Sequence, residues 1–172
     1  MTIKTGKVYV DTNIYIYAIL KHPEFGGSCA TILRDIASNA FEAVGSQLVA
    51  IEILGSLASI DPVVARKATN DYVKSSISSL DITYEVLDFA GFINEKLNIR
   101  YDAVHAAVML LNGISTIITN DVDDWGKFQK GFKKLLDLLK EKGFPVMPPS
   151  FEVVTPEGYV SWRKLHVGTD LG

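Results

Sequence analysis

Apolar positions along this chain follow two alternating rhythms. Short, nearly unbroken apolar runs at residues 7–10, 43–46, 115–119 and 151–154 read as buried strands, and 80–83 as a further strand. Between them, apolar residues recur at helical spacing. Helices are expected at 14–20, at 28–39 with Ile32 and Ile36 on one face, at 48–60 and at 63–75, with Asp61-Pro62 between the last two. Val86, Leu87, Ala90 and Ile93 mark a helix at 84–97, and Asn112-Gly113 stops another at 103–111. Residues 127–142 form an amphipathic helix with Phe128, Phe132, Leu135, Leu136 and Leu139 inward. Residues 145–149 read as a rigid connection. Thr155-Pro156-Glu157 opens a last short helix, with Thr as N-cap and Pro at the first position, and 168–172 as a frayed tail. Strands spaced by helices imply an α/β fold with a central, mostly parallel sheet between two helical layers.

Composition narrows this picture without redirecting it. The 172 residues are 48% hydrophobic and 22% charged, which suits one compact domain rather than a disordered or fibrous chain. A net charge of −3 argues against a wholly basic surface but leaves room for a local basic face beside an acidic pocket. The one cysteine, Cys29, reads as a small buried apolar residue and fits a reducing, cytoplasmic setting. No secretory signal or membrane-length apolar run is visible.

Four acids stand out against this apolar background. Asp11 directly follows Val8-Tyr9-Val10, and Asp121 follows Thr116-Ile117-Ile118-Thr119, so both exit strands. Open α/β sheets bind ligands outside the carboxyl ends of their strands. Each also has a plainer role: Asp11 and Asp102 precede helices and can cap them, and Asp121 can close an Asx turn. Glu52 interrupts an apolar helical stretch, with Ser56 and Ser59 making a narrow polar stripe that faces either water or a pocket. If the acids converge, two unit charges about 4 Å apart repel by about 4 kcal/mol at an effective dielectric near 20. Such a cluster calls for a cation. Oxygen-only donors suit Mg²⁺ or Mn²⁺, and no Cys/His cluster of zinc spacing competes. Ions held this way bind a scissile phosphate, acidify a water and stabilise the leaving oxygen, which makes phosphodiester hydrolysis the natural reaction.

These segments resemble the PIN-domain nucleases. The resemblance rests on Val8-Tyr9-Val10-Asp11-Thr12-Asn13-Ile14, on Glu52 after Ser46-Gln47-Leu48-Val49-Ala50-Ile51, on Tyr101-Asp102-Ala103-Val104-His105-Ala106-Ala107 and on Thr119-Asn120-Asp121-Val122-Asp123-Asp124-Trp125. It implies a PIN-like three-layer α/β/α sandwich covering residues 1–172 as one domain. It also implies a catalytic set of Asp11, Glu52, Asp102 and Asp121, with Asp11, Asp102 and Asp121 on the metal. Thr12, Asn13 and Thr119 are implied to support the site, with Asp123 or Asp124 as a peripheral acid. The family further implies an Mg²⁺- or Mn²⁺-dependent endoribonuclease, often the VapC-like toxin of a type II toxin–antitoxin pair. Such toxins form homodimers and are held inactive by a small antitoxin. Ribosomal or transfer RNA processing, and a catalytically weak binding module, are the alternatives. Two features depart from the family pattern. A lysine-rich segment at about 126–149 intervenes before the last strand, and Asn120 stands where many members carry Arg. Lys127, Lys130 and Lys134 in that segment are candidate RNA contacts, with a solvated helix face as the plainer reading. His105 reads as a helix residue near the pocket rather than a ligand. Trp125 reads as core rather than a base-stacking platform.

Overall fold

The computed structural model describes residues 6–144 and 148–168. Five strands form one parallel sheet: β1 (Val8–Val10), β2 (Ala43–Ser46), β3 (Ser78–Leu80), β4 (Thr116–Ile118) and β5 (Glu152–Val154). Their order is β3-β2-β1-β4-β5. The central strand β1 is buried along its whole length, so it reads as a continuous apolar run. Register places Val10 opposite Ile118, which brings the carboxyl ends of β1 and β4 level.

Helices α1 (Thr12–Ile19) and α2 (Gly26–Ala37) join β1 to β2. Helices α3 (Gln47–Ala58) and α4 (Pro62–Val73) join β2 to β3. Helices α5 (Tyr84–Leu97) and α6 (Asp102–Leu111) cross back to β4, α7 (Val122–Glu141) leads to β5, and α8 (Tyr159–His166) follows. The chain steps outward from β1 to β3, then reverses through β4 to β5. Right-handed crossovers therefore put α1–α4 on one face and α5–α7 on the other. The packing agrees: α1 meets α2 and α3, α3 meets α4, and α5 meets α6 and α7. The result is the expected three-layer α/β/α sandwich. Its reversal point, between β1 and β4, opens a crevice at the carboxyl edge of the sheet.

Most elements fall where the apolar rhythm puts them, and three shift. The third strand is Ser78–Leu80 rather than 80–83, paired with Val44–Ser46. As an exposed edge strand it has no apolar run to announce it, and Thr83 is instead the cap of α5 through its bond from Val86 N. The lysine-rich helix begins five residues early, at Val122, because Asp121 caps it and Asp123 and Asp124 fill its first turn. The last helix starts at Tyr159, not at 155. Thr155 Oγ1 accepts from Gly158 N at 3.1 Å and closes an isolated turn before it. The expected connection at 145–149 and tail at 168–172 lie largely outside the described residues.

Trp125 is fully buried, stacked on Phe151 with centroids 5.7 Å apart, and so belongs to the core. Cys29 is buried too, and burial pushes its thiol up to about 11. Asp35 of α2 ties α8 down, accepting from Tyr159 Oη at 2.7 Å and from Arg163 Nε at 2.6 Å. An apolar groove of about 530 Å³ runs between the first helices, lined by Tyr15, Ile19, Leu33, Ile36, Val64 and Ala68 among others. Among the described residues no helix is long and apolar enough to cross a membrane.

Candidate metal centre

A cleft of about 330 Å³ opens at the β1/β4 edge, lined by Asp11, Thr12, Asn13, Ile16, Tyr17, Glu52, Ser56, Asp102 and Asp121. All four acids singled out in the sequence reach it. Asp11 leaves β1 in extended conformation and is 4% exposed. Its carboxylate accepts from Thr12 N at 2.7 Å, from Asn13 Nδ2 at 3.1 Å and from Thr119 Oγ1 at 2.6 Å. Capping and facing the cleft are thus one role for Asp11, not two alternatives.

Thr119 joins the two strands at this point. Its hydroxyl donates to Asp11 and accepts from Asn13 Nδ2 at 3.1 Å and from Asp121 N at 3.0 Å, which uses its full bonding capacity. Asn13 Oδ1 accepts from Asn120 N at 3.0 Å, so Asn120 serves the site through its backbone. Asp121 Oδ1 accepts from Asp123 N and Asp124 N at 3.1 and 3.2 Å. Asp121 is therefore both cap and cleft wall.

Glu52, on α3, faces the cleft from β2's side. It accepts from Thr12 Oγ1 and lies 2.9 Å from His105 Nε2. Ser56, one turn on, also lines the cleft, so the polar stripe faces the pocket there, whereas Ser59 only caps the end of α3. Asp102 is the first residue of α6 and makes no capping bond, contrary to its reading as a cap. Its carboxyl is pushed up to about 7, first by burial and then by the charge of Asp11. Asp102, Asp121 and Asp124 each offer an oxygen within 4.8 Å of the other two, and Asp11, Glu52 and His105 form a second such group. Of the two peripheral acids, Asp124 joins a cluster and Asp123 stays exposed.

Sequence reasoning undervalued one chain of groups. His105 is 1% exposed, and its Nδ1 lies 2.7 Å from Tyr9 Oη, which lies 2.7 Å from Ser46 Oγ. This file of buried polar atoms runs behind Glu52. Glu52 is lowered overall, since the bonds from His105 and Thr12 outweigh its burial. His105 is raised, since Glu52 and the neighbouring carboxylates outweigh burial. The available signal was spacing: His105 lies one helical turn after Asp102, and Tyr9 shares a strand face with Asp11.

Of the candidate RNA contacts, Lys127 is tied to Asp124 Oδ1 at 2.7 Å, while Lys130 and Lys134 are exposed along the same helix face. Lys127 is the one ammonium paired with these acids among the described residues. The donor set therefore fits a divalent cation. It offers hard oxygens from four aspartates and a glutamate against one ammonium, Lys127, and one imidazole, His105, and includes one carboxyl held up to about 7.

A parallel sheet with carboxylates from two adjacent strands and two helices gathered at its reversal point defines an α/β protein with an acidic, oxygen-donor pocket. A family model described as the PIN domain matches residues 8–131, and the chain belongs to that family. PIN domains are generally nucleases. No curated protein matches the sequence. Among solved structures, the chain is similar to VapBC2 from Rickettsia felis bound to a promoter DNA fragment. Identity there is 17%, the TM-score 0.57, and the match covers 87% of this chain and 98% of that one. DNA-bound VapBC from Salmonella typhimurium gives 17% identity, a TM-score of 0.57, and 88% and 99% coverage. A toxin–antitoxin complex from Klebsiella pneumoniae gives 16%, 0.51, and 69% and 89%.

Proposed function

We propose that this chain is a divalent-metal-dependent endoribonuclease of the VapC toxin type. The observation that carries the proposal is the convergence of Asp11, Asp102, Asp121 and Asp124 at one sheet edge, with Lys127 their one paired ammonium among the described residues. Asp11, Asp102 and Asp121 would hold Mg²⁺ or Mn²⁺, with Asp124 beside them. The ion, when bound, neutralises the phosphate, acidifies water and stabilises the leaving oxygen. The chain's own groups supply the rest. Thr119 and Asn13 fix the Asp11 carboxylate in one rotamer. Glu52, steadied by Thr12 and His105, stands across the cleft as an ionised carboxylate that can accept a proton from water. Lys130 and Lys134 hold RNA phosphates along α7 through sequence-blind, salt-dependent contacts.

The same reading includes a homodimer and a small antitoxin protein. The VapBC neighbours support the antitoxin, and the apolar groove between α1, α2 and α4 offers it a seat. The test is incubation with labelled single-stranded RNA in Mg²⁺, in Mn²⁺ and in chelator, beside Asp11→Asn. Cleavage that needs both metal and Asp11 is the expected result. Cleavage indifferent to chelator, or retained in the variant, would overturn the proposal.

A further inference from the structure

One wall of the acidic cleft is aromatic. Tyr17 of α1 lines it together with Ile16 and Ser56. Asn13, which bonds Asp11, lies one helical turn before Tyr17 on the same face, about 6 Å away between Cβ atoms. Tyr17 is half-buried and does not stand alone. Its ring packs on His22 with centroids 4.6 Å apart and on Phe25 at 5.9 Å, and His22 packs on Phe25 at 5.1 Å. The three rings lie within 39° of parallel.

The turn that presents these rings is built closely. His22 N donates to Tyr17 O at 2.9 Å, and His22 Nδ1 accepts from Glu24 N and Phe25 N at 3.2 Å each. These bonds fix the imidazole plane against Tyr17. Lys21 turns the chain at φ 51°, and a Cβ at Gly26 would come 2.9 Å from the Lys21 carbonyl carbon, so glycine is needed for α2 to start so close. A supported stack costs little further ordering when another flat ring joins it, because Tyr17 is already held.

We propose that Tyr17 is a nucleobase platform, and that the cleft takes single-stranded RNA with one unpaired base, next to the scissile phosphate, stacked on this ring. The inference rests on the nuclease reading above and deepens it. Tyr17 and the carboxylates line one cleft of about 330 Å³, so a phosphate held among them brings its neighbouring base to the side of the cleft that carries the ring. Base-paired RNA keeps its bases stacked on one another and withholds that face. Stacking tolerates any base, so the site selects single strands without demanding a sequence.

The experiment uses a labelled single-stranded RNA whose cleavage position has been mapped with the wild-type chain. Two matched oligonucleotides carry an abasic residue immediately on the 5′ or the 3′ side of that bond. For one of them, kcat/KM of the wild type should fall roughly 5- to 100-fold. Tyr17→Leu should lose a similar factor on intact RNA and show no further loss on the abasic strand. Tyr17→Phe, which keeps the ring, should behave as wild type. The intact-to-abasic ratio is taken within one preparation, so a lower folded fraction cancels. If neither abasic strand is cut more slowly, or if Tyr17→Leu still shows the full abasic penalty, the platform is overturned while the nuclease stands. A chain that cuts no RNA with any divalent ion overturns the nuclease reading and the platform together.

Discussion

Thr119 and Asp102 make opposite contributions to the same pocket. Thr119 is fully bonded at the junction of two strands, so Thr119→Val leaves Asp11, Asn13 and Asp121 N each short of a partner. The expected cost is about 1–3 kcal/mol in urea unfolding, with Thr119→Ser close to wild type; equal stability of Val and Ser variants would contradict this. Asp102 instead strains the fold. Its carboxyl rises from an ordinary 3.8 to about 7, so between those values the folded chain keeps a proton that the unfolded chain has released. Raising the pH from about 4 to about 7 therefore weakens the metal-free protein, and above that the penalty is complete. The shift corresponds to about 4 kcal/mol, and the carboxyl's partial solvation leaves roughly half of it. Asp102→Asn should thus raise the Tm of the metal-free chain at pH 8 while leaving it nearly unchanged at pH 4. The same substitution should abolish cleavage. On this account the metal-free site is less stable than its neutral variant, a cost that the proposed ion would offset.

Helix α7 shows how a cap and a cleft wall share one residue. Asp121 accepts from two backbone N–H groups of the first turn, a role Asn performs as well as Asp. Asp121→Asn should therefore keep stability within about 0.5 kcal/mol and lose metal affinity, whereas Asp121→Ala should lose both, with about 1 kcal/mol of stability. Loss of stability in the Asn variant would contradict the shared role. Farther along α7, replacing Lys130 or Lys134 with Ala should flatten the salt dependence of RNA binding by about one unit of slope each. The start of this helix was hard to read from the sequence because Asp123 and Asp124 look like a loop. They are in fact first-turn acids facing the helix dipole. β3 was misplaced for a different reason: an exposed edge strand carries no apolar signature. The buried strands β1 and β4 were legible because parallel strands covered on both faces must be apolar throughout.

At the scale of the whole molecule, the order β3-β2-β1-β4-β5 explains why scattered acids meet. Reversal of the winding between β1 and β4 leaves a crevice, and level register sets Asp11 beside Thr119 and Asp121. The acids themselves could be picked from the sequence because each follows a strand, opens a helix or breaks an apolar helix face. The file Tyr9–His105–Glu52 is marked in the sequence only by the spacing of His105 from Asp102 and of Tyr9 from Asp11, since it joins residues up to 96 positions apart whose contact depends on how α3 and α6 pack around β1. Tyr17 escaped for a similar reason, as nothing in its local sequence ties it to Asp11 beyond one helical turn. Calorimetric titration of the metal-free chain with Mn²⁺ at pH 7.5, beside Asp121→Asn, tests the central claim most directly. Saturable binding that Asp121→Asn weakens at least tenfold, with both proteins equally folded, is the result predicted. No binding to the wild type, or equal binding to both, would contradict an ion held by these carboxylates.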